Sequence, residues 1–136
     1  MLLLIGFRVS DVRQVCVRFH SAIELIGARW TGAILRAMLT GARRFAEIKT
    51  AVPELNDTML TRRLRELTDA GIVERHVLST SPVHVEYTLT EKGLELEPVV
   101  DVLRTWAHKW IPLADDTGEN DSVGEGSSQE KEIAWN

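Results

Sequence analysis

A single cysteine in 136 residues cannot close an internal disulfide. The chain is therefore not a stapled extracellular scaffold, and Cys16 is left for intermolecular or small-thiol chemistry. Long apolar runs are missing as well. The opening stretch from Met1 to Phe7 falls far short of the roughly 20 residues that cross a bilayer, and it lacks the basic n-region and small-residue cleavage site of a secretory leader. These absences predict a cytoplasmic protein with no membrane partner. There is no glycine-rich phosphate loop and no nucleophile elbow, and His20, His76, His84 and His108 show no metal-ligand spacing with Cys16. Catalysis, a bound metal and a cofactor are accordingly not expected.

What is present has the balance of a globular chain, with 44% apolar and 26% charged residues, so disorder is a poor description of its bulk. The length suits one hydrophobic core. A net charge of -4 argues at first against nucleic acid, but the charge is unevenly placed. Residues 1–112 carry fifteen Lys and Arg against thirteen Asp and Glu, whereas 113–136 carry one against seven. A mildly basic domain is followed by an acidic tail. The tail, rich in Gly, Ser, Asp and Glu, has almost no apolar periodicity and is expected to be disordered. It is either a solvated segment with no specific task or a competitor with DNA for the basic face. Three parts follow: an arm at 1–15 whose role stays open, a folded domain at 16–111, and the tail at 112–136.

Within the domain, Ile23, Ile26, Trp30, Ile34 and Leu35 recur at helical spacing, predicting two helices broken near Gly27. Gly41 ends the second. Phe45, Ile48 and Val52 mark a short third helix, stopped by Pro53. Asn56 or Asp57 can cap a fourth, running from about Thr58 to Ala70 and closed by Gly71. The period then changes: Ile72, Val73, Val77 and Leu78, then Val83, Val85, Tyr87 and Leu89, predict two strands around the turn Ser79-Thr80-Ser81-Pro82. Thr90 is read as the cap of one last long helix with apolar positions from Leu94 to Trp110.

Short helix, proline-containing turn, second helix and hairpin is the order of a winged helix-turn-helix. In that α+β arrangement the second helix enters the major groove and the hairpin lies beside the backbone. Leu60, Leu64 and Leu67 give the fourth helix one apolar face, while Thr58, Thr61, Arg62 and Arg65 fall on the other. Arginine can donate two hydrogen bonds to a guanine edge, and threonine can meet phosphate oxygens or a thymine methyl. Without its context the same helix would read as an ordinary solvated face; the turn and hairpin tip the balance toward double-stranded DNA. Arg43, Arg44, Lys49, Arg75, His76, Thr80 and His84 are candidates for phosphate contact without sequence choice. All but Thr80 could equally be surface charges paired with Glu47, Glu74 or Glu86. Arg63, beside Met59, either braces the helix or touches the DNA backbone.

The blocks IELIGARW at 23–30, ILRAMLTGARRFAEIKTAVPELNDTMLTRRLRELTDAGIVER at 34–75 and VEYTLTEKG at 85–93 closely resemble the HxlR-type transcription regulators, a group near the MarR-type winged helices. The resemblance covers residues 16 to about 111. It implies a homodimer that represses or activates transcription, with extra N- and C-terminal helices for dimerisation and the fourth helix as the recognition helix. Val99, Leu103, Trp106 and Trp110 are the expected dimer contacts, since they offer more apolar surface than a small core readily covers. They could instead complete the core of one chain.

The spacing from Cys16 to Trp30 is similar to that in the redox-sensing, YodB-like branch of the family, which implies a thiol sensor of oxidants or electrophiles. Val17 stands where that branch commonly has proline. A sensor thiol needs nearby positive charge, and Arg13, Arg18 and His20 lie close in sequence. The alternatives are a small buried hydrophobe at Cys16, a regulator answering to an unidentified small molecule, and a winged-helix module that binds protein instead of DNA.

Overall fold

The computed structural model describes residues 14–113. The arm up to residue 13 and the tail from 114 lie outside the described residues. Six helices and one hairpin follow in the order α1 (Val17–Ile26), α2 (Thr31–Leu39), α3 (Phe45–Ala51), α4 (Asp57–Asp69), β1 (Val73–Leu78), β2 (His84–Leu89), α5 (Glu91–Leu94) and α6 (Glu97–Trp110). This is the winged helix-turn-helix architecture that the sequence predicts.

The core gathers Ile34, Leu35 and Met38 from α2, Ile48 from α3 with Val52 just past it, Leu55 from the turn, Leu60, Leu64 and Leu67 from α4, and Ile72 and Val73 at the hairpin's start. Each fully buried Leu or Ile contributes roughly 1.5–3 kcal/mol against an exposed one, which fixes the rotation of α4 about its own axis. That helix begins where Asn56 Oδ1 accepts from Met59 N at 2.8 Å, and Asp57 in its first turn suits the positive end of the helix dipole. It ends in a Schellman turn, with Gly71 N donating to Thr68 O and Ile72 N to Leu67 O. Gly71 takes a positive φ of 73°, which a side chain would make costly.

The strands pair antiparallel from Val73 opposite Leu89 to Leu78 opposite His84, so Val83 belongs to the turn and not to the strand. Tyr87 N donates to Arg43 O at 2.7 Å, laying the segment before α3 along the free edge of β2.

Two expectations need correction. The last helix is not continuous. Thr90 caps a single turn, α5, by accepting from Gly93 N, and the chain restarts as α6 with Pro98 in its first turn. Pro98 has no N–H to offer Leu94 O, so the hydrogen-bond ladder cannot pass through it. Gly93 also lies so close to Ile72 O that an added Cβ would stand 2.3 Å from it, which pins α5 to the hairpin's base. The second correction is Trp30, which is not part of a helical face but the N-cap of α2, with φ of 73°. A bulky residue there costs about 1–2 kcal/mol, offset by its ring packing against the core and by Arg29 stacked over it at 5.4 Å. Among the described residues, no helix is long and apolar enough to cross a membrane.

Candidate nucleic-acid interface

Burial of Leu60, Leu64 and Leu67 leaves Thr58, Thr61, Arg62 and Arg65 exposed on the outer side of α4. Their availability differs. The Arg65 guanidinium makes no hydrogen bond or ion pair among the described residues, and neither do the hydroxyls of Thr58 and Thr61. Further along the same helix, Thr68 spends its hydroxyl on Leu64 O at 2.7 Å. Arg62 is two-thirds exposed but holds Glu66 Oε1 at 3.2 Å.

Glu66, which the sequence reading passed over, is the anchor of this face. Arg63 Nη1 donates to both its oxygens, at 3.1 and 2.8 Å, while Arg63 Nε donates to Arg29 O at 2.8 Å. Of the two uses open to Arg63, bracing is therefore the one built: its side chain is 12% exposed and ties α4 to the joint between α1 and α2. The hydrogen bond from Arg63 holds the Glu66 carboxyl below its usual value, with the charges of Arg63 and Arg62 adding to it. The spacing i to i+4 from Arg62 and i to i+3 from Arg63 was the signal available in sequence.

Lys49 is likewise drawn inward, a second departure from the list of phosphate candidates. Its amine donates to Leu55 O and stands 3.2 Å from Asp57, clamping the turn between α3 and α4. Arg43 and Arg44 remain exposed at the start of α3. Their backbone N–H groups both go to Glu47 Oε2, at 2.7 and 3.1 Å. These bonds, that from Arg43 first, lower the Glu47 carboxyl from its ordinary value.

On the hairpin, Arg75 is exposed and its guanidinium makes no hydrogen bond or ion pair among the described residues. His76 contacts Thr88 Oγ1 at 2.9 Å and Glu74 at 3.5 Å. His84 lies between Thr80, Arg44 and Glu86. The expected pairing with Glu74 and Glu86 is thus present, but through histidines. Taken together, α4, the start of α3 and the hairpin carry basic groups on their outer sides. Donors of this kind suit phosphates and base edges.

A different surface lies at the ends of the fold. Val99, Leu103, Trp106 and Trp110 are all more than half exposed, as is Val102, and α6 buries no residue. Ile23 of α1 joins Pro98, Val99, Val102, Leu103 and Trp106 in lining an open apolar groove. Ile23, Pro98 and Val102 were not among the expected contacts, although Val102 and Trp106 share the i, i+4 stripe that would have pointed to one of them. Cys16 is exposed and forms the N-cap of α1. It stands just before the helix that carries Ile23 into the lining of the groove.

A model of the HxlR-like helix-turn-helix family matches residues 25–115. The chain belongs to this family. Among curated relatives, the HTH-type transcriptional regulator YodB of Bacillus subtilis (strain 168) is 40% identical over 107 residues, covering 79% of this chain and 96% of YodB. YvaP of the same organism is 40% identical over 98 residues, or 72% of this chain and 91% of YvaP. Among solved structures, diamide-treated B. subtilis YodB aligns with a TM-score of 0.62 at 42% identity, over 72% of this chain and 97% of that one. The redox regulator HypR in its oxidised form aligns with a TM-score of 0.66 at 36% identity, over 71% and 99%. This HxlR-like protein is a DNA-binding transcriptional regulator, and its family and relatives are regulators, not enzymes.

Proposed function

We propose that this HxlR-like regulator is a cytoplasmic, sequence-specific repressor that binds its operator as a homodimer and is released by oxidation or electrophile modification of Cys16. The observation that carries the DNA reading is the uncommitted state of Arg65, Thr58 and Thr61 on the outer face of a helix whose inner face is fully buried. Arg62 reads beside them once it leaves Glu66. Arg43, Arg44, Arg75 and His76 meet phosphates and set the register, with His84 behind Arg44 at 3.3 Å. Dimerisation is supported by the apolar groove of α1 and α6, lined by Trp106 at 54% exposure, and by Trp110 further along α6 at 62%. Such a patch in water favours a partner, and a two-fold copy would present two copies of α4 to successive half-sites.

The redox reading is supported by the placement of Cys16, exposed at the N-cap of the helix whose Ile23 lines the groove, and by two structural neighbours, diamide-treated YodB and the redox regulator HypR in its oxidised form. Two thiols, from two subunits or from one subunit and a small thiol, join as a disulfide. Their two electrons and two protons pass to the oxidant, for diamide to its N=N bond. A shift of α1 then alters the separation of the two α4 helices, on which half-site binding depends.

The test is fluorescence anisotropy with DNA flanking the coding region and with bulk duplex, across several salt concentrations, for reduced and diamide-treated protein. Preference for the flanking DNA, a steep salt dependence and loss of binding after diamide are expected. Cys16→Ser should bind as the wild type does and ignore diamide. If Cys16→Ser still responds, thiol sensing at this residue is wrong; if neither DNA is bound at low salt, the DNA reading is wrong.

A further inference from the structure

One chain of hydrogen bonds links the wing to the start of α3, and chemistry dictates its direction. A guanidinium has donors only, so the 3.3 Å contact from Arg44 Nη2 requires a lone pair on His84 Nε2. The neutral ring then carries its proton on Nδ1, which donates to Thr80 Oγ1 at 2.9 Å. The Thr80 hydroxyl, having accepted that bond, gives its own hydrogen to Pro82 O at 2.8 Å. A single tautomer satisfies all three.

Glu86 Oε1 waits 3.6 Å from the same Nε2. It has nothing to receive while that nitrogen is an acceptor. The remaining charged groups around the ring are accounted for: across the hairpin His76 faces Glu86 in register and engages Thr88 and Glu74, and Glu47 holds the backbone of Arg43 and Arg44. Opposite His84 itself stands the apolar Leu78.

We propose that His84 is a positioning residue for Arg44: neutral, it holds the guanidinium against the wing, and protonated, it turns Nε2–H to Glu86 and releases Arg44 to a DNA phosphate. A protonated imidazole donates at both nitrogens, so Nε2 repels Arg44 and attracts Glu86. Protonation of His84 thus adds one mobile cation per protomer to the phosphate-binding surface. The inference rests on Arg44 being a backbone contact in the DNA reading above.

The experiment uses the full chain and a mixed-sequence duplex of about three helical turns, since phosphate contacts do not depend on sequence. Anisotropy titrations in several salts are compared at about pH 8 and pH 5.5. Wild type should bind about fivefold tighter at the lower pH, with the slope of log K against log salt steeper by about 0.9 per protomer. His84→Gln, whose side-chain carbonyl accepts from Arg44 without titrating, should match wild type at pH 8 and lose most of that gain. Arg44→Gln should lose it too, while His108→Gln, on α6 away from the DNA face, keeps it; circular dichroism confirms that each variant is folded. A gain that survives in Arg44→Gln overturns the inference, because His84 would then act by its own charge. A gain that survives in His84→Gln overturns it by assigning the effect to another group. Absence of duplex binding at both pH values overturns the DNA reading itself.

Discussion

Each of α2, α3 and α4 sinks residues into the core, whereas α1 and α6 bury none. Yet the apolar content of the flanking helices is not lower: Phe19, Ile23, Val99, Val102, Leu103, Trp106 and Trp110 are all large and all more than half exposed. The middle of the chain is complete as a monomer, and its polar surplus faces outward on α4. The ends carry an apolar surplus instead. An amphipathic stripe therefore has two physical outcomes, a core or an interface, and helical periodicity does not distinguish them.

The comparison can be broken most forcefully in the middle. Leu64→Ala should lose about 2–5 kcal/mol of folding free energy, the range for a leucine removed from a packed core, read from the shift in a urea midpoint at unchanged slope. A loss below about 0.5 kcal/mol would mean that the α4 core is not packed as described. At the ends, Trp106→Asp should leave the circular dichroism unchanged but convert dimer to monomer in sedimentation. With one half-site lost, operator affinity should fall about 100-fold. Unfolding in place of dissociation would show that Trp106 belongs to the core after all.

A smaller effect separates the two faces of α4. Arg65→Ala should weaken operator binding by about 1–3 kcal/mol and relax the preference at one base pair, with stability unchanged within about 0.5 kcal/mol. An equal loss on all sequences would make Arg65 a phosphate contact. The smallest effect concerns Glu66, whose carboxyl is lowered by Arg63 and Arg62. A depressed carboxyl stabilises the fold above the ordinary value of 4.5 and loses that contribution as pH falls through its lower folded value. Glu66→Gln should therefore melt about 1–4 °C below wild type at neutral pH, a small gap because the pair is partly screened by solvent. The gap should close in acid, and a gap constant with pH would remove the ion pair from the account.

Much of the middle was legible in the residues. Leu60, Leu64 and Leu67 at helical spacing set which side of α4 is buried, and the opposite positions then had to be exposed. The side-chain partners were less legible. Lys49 and Arg63 look like free cations in a string of letters, but Leu55 O, Asp57, Arg29 O and Glu66 claim them. Two of those acceptors are backbone carbonyls, which every residue possesses and no sequence pattern marks. The break between α5 and α6 was foreshadowed by Pro98, whose missing N–H interrupts any helix four residues downstream of Leu94. The close approach of Gly93 to Ile72 O depends on a contact across twenty residues and had no local sign.

By itself the sequence determined the succession of elements through the hairpin, the caps at Asn56 and Gly71, the inward leucines and the presence of threonines and arginines on the outer side of α4. These follow from backbone sterics and from the 3.6-residue period, both of which act over a few neighbouring positions. The tertiary structure decided which cations are free, that Trp30 is a left-handed joint, that His84 holds Arg44, and that the tryptophans of α6 lie outside the core. Those outcomes turn on which groups meet after distant segments pack, where a hydrogen bond or a buried face is gained at one place and withheld at another.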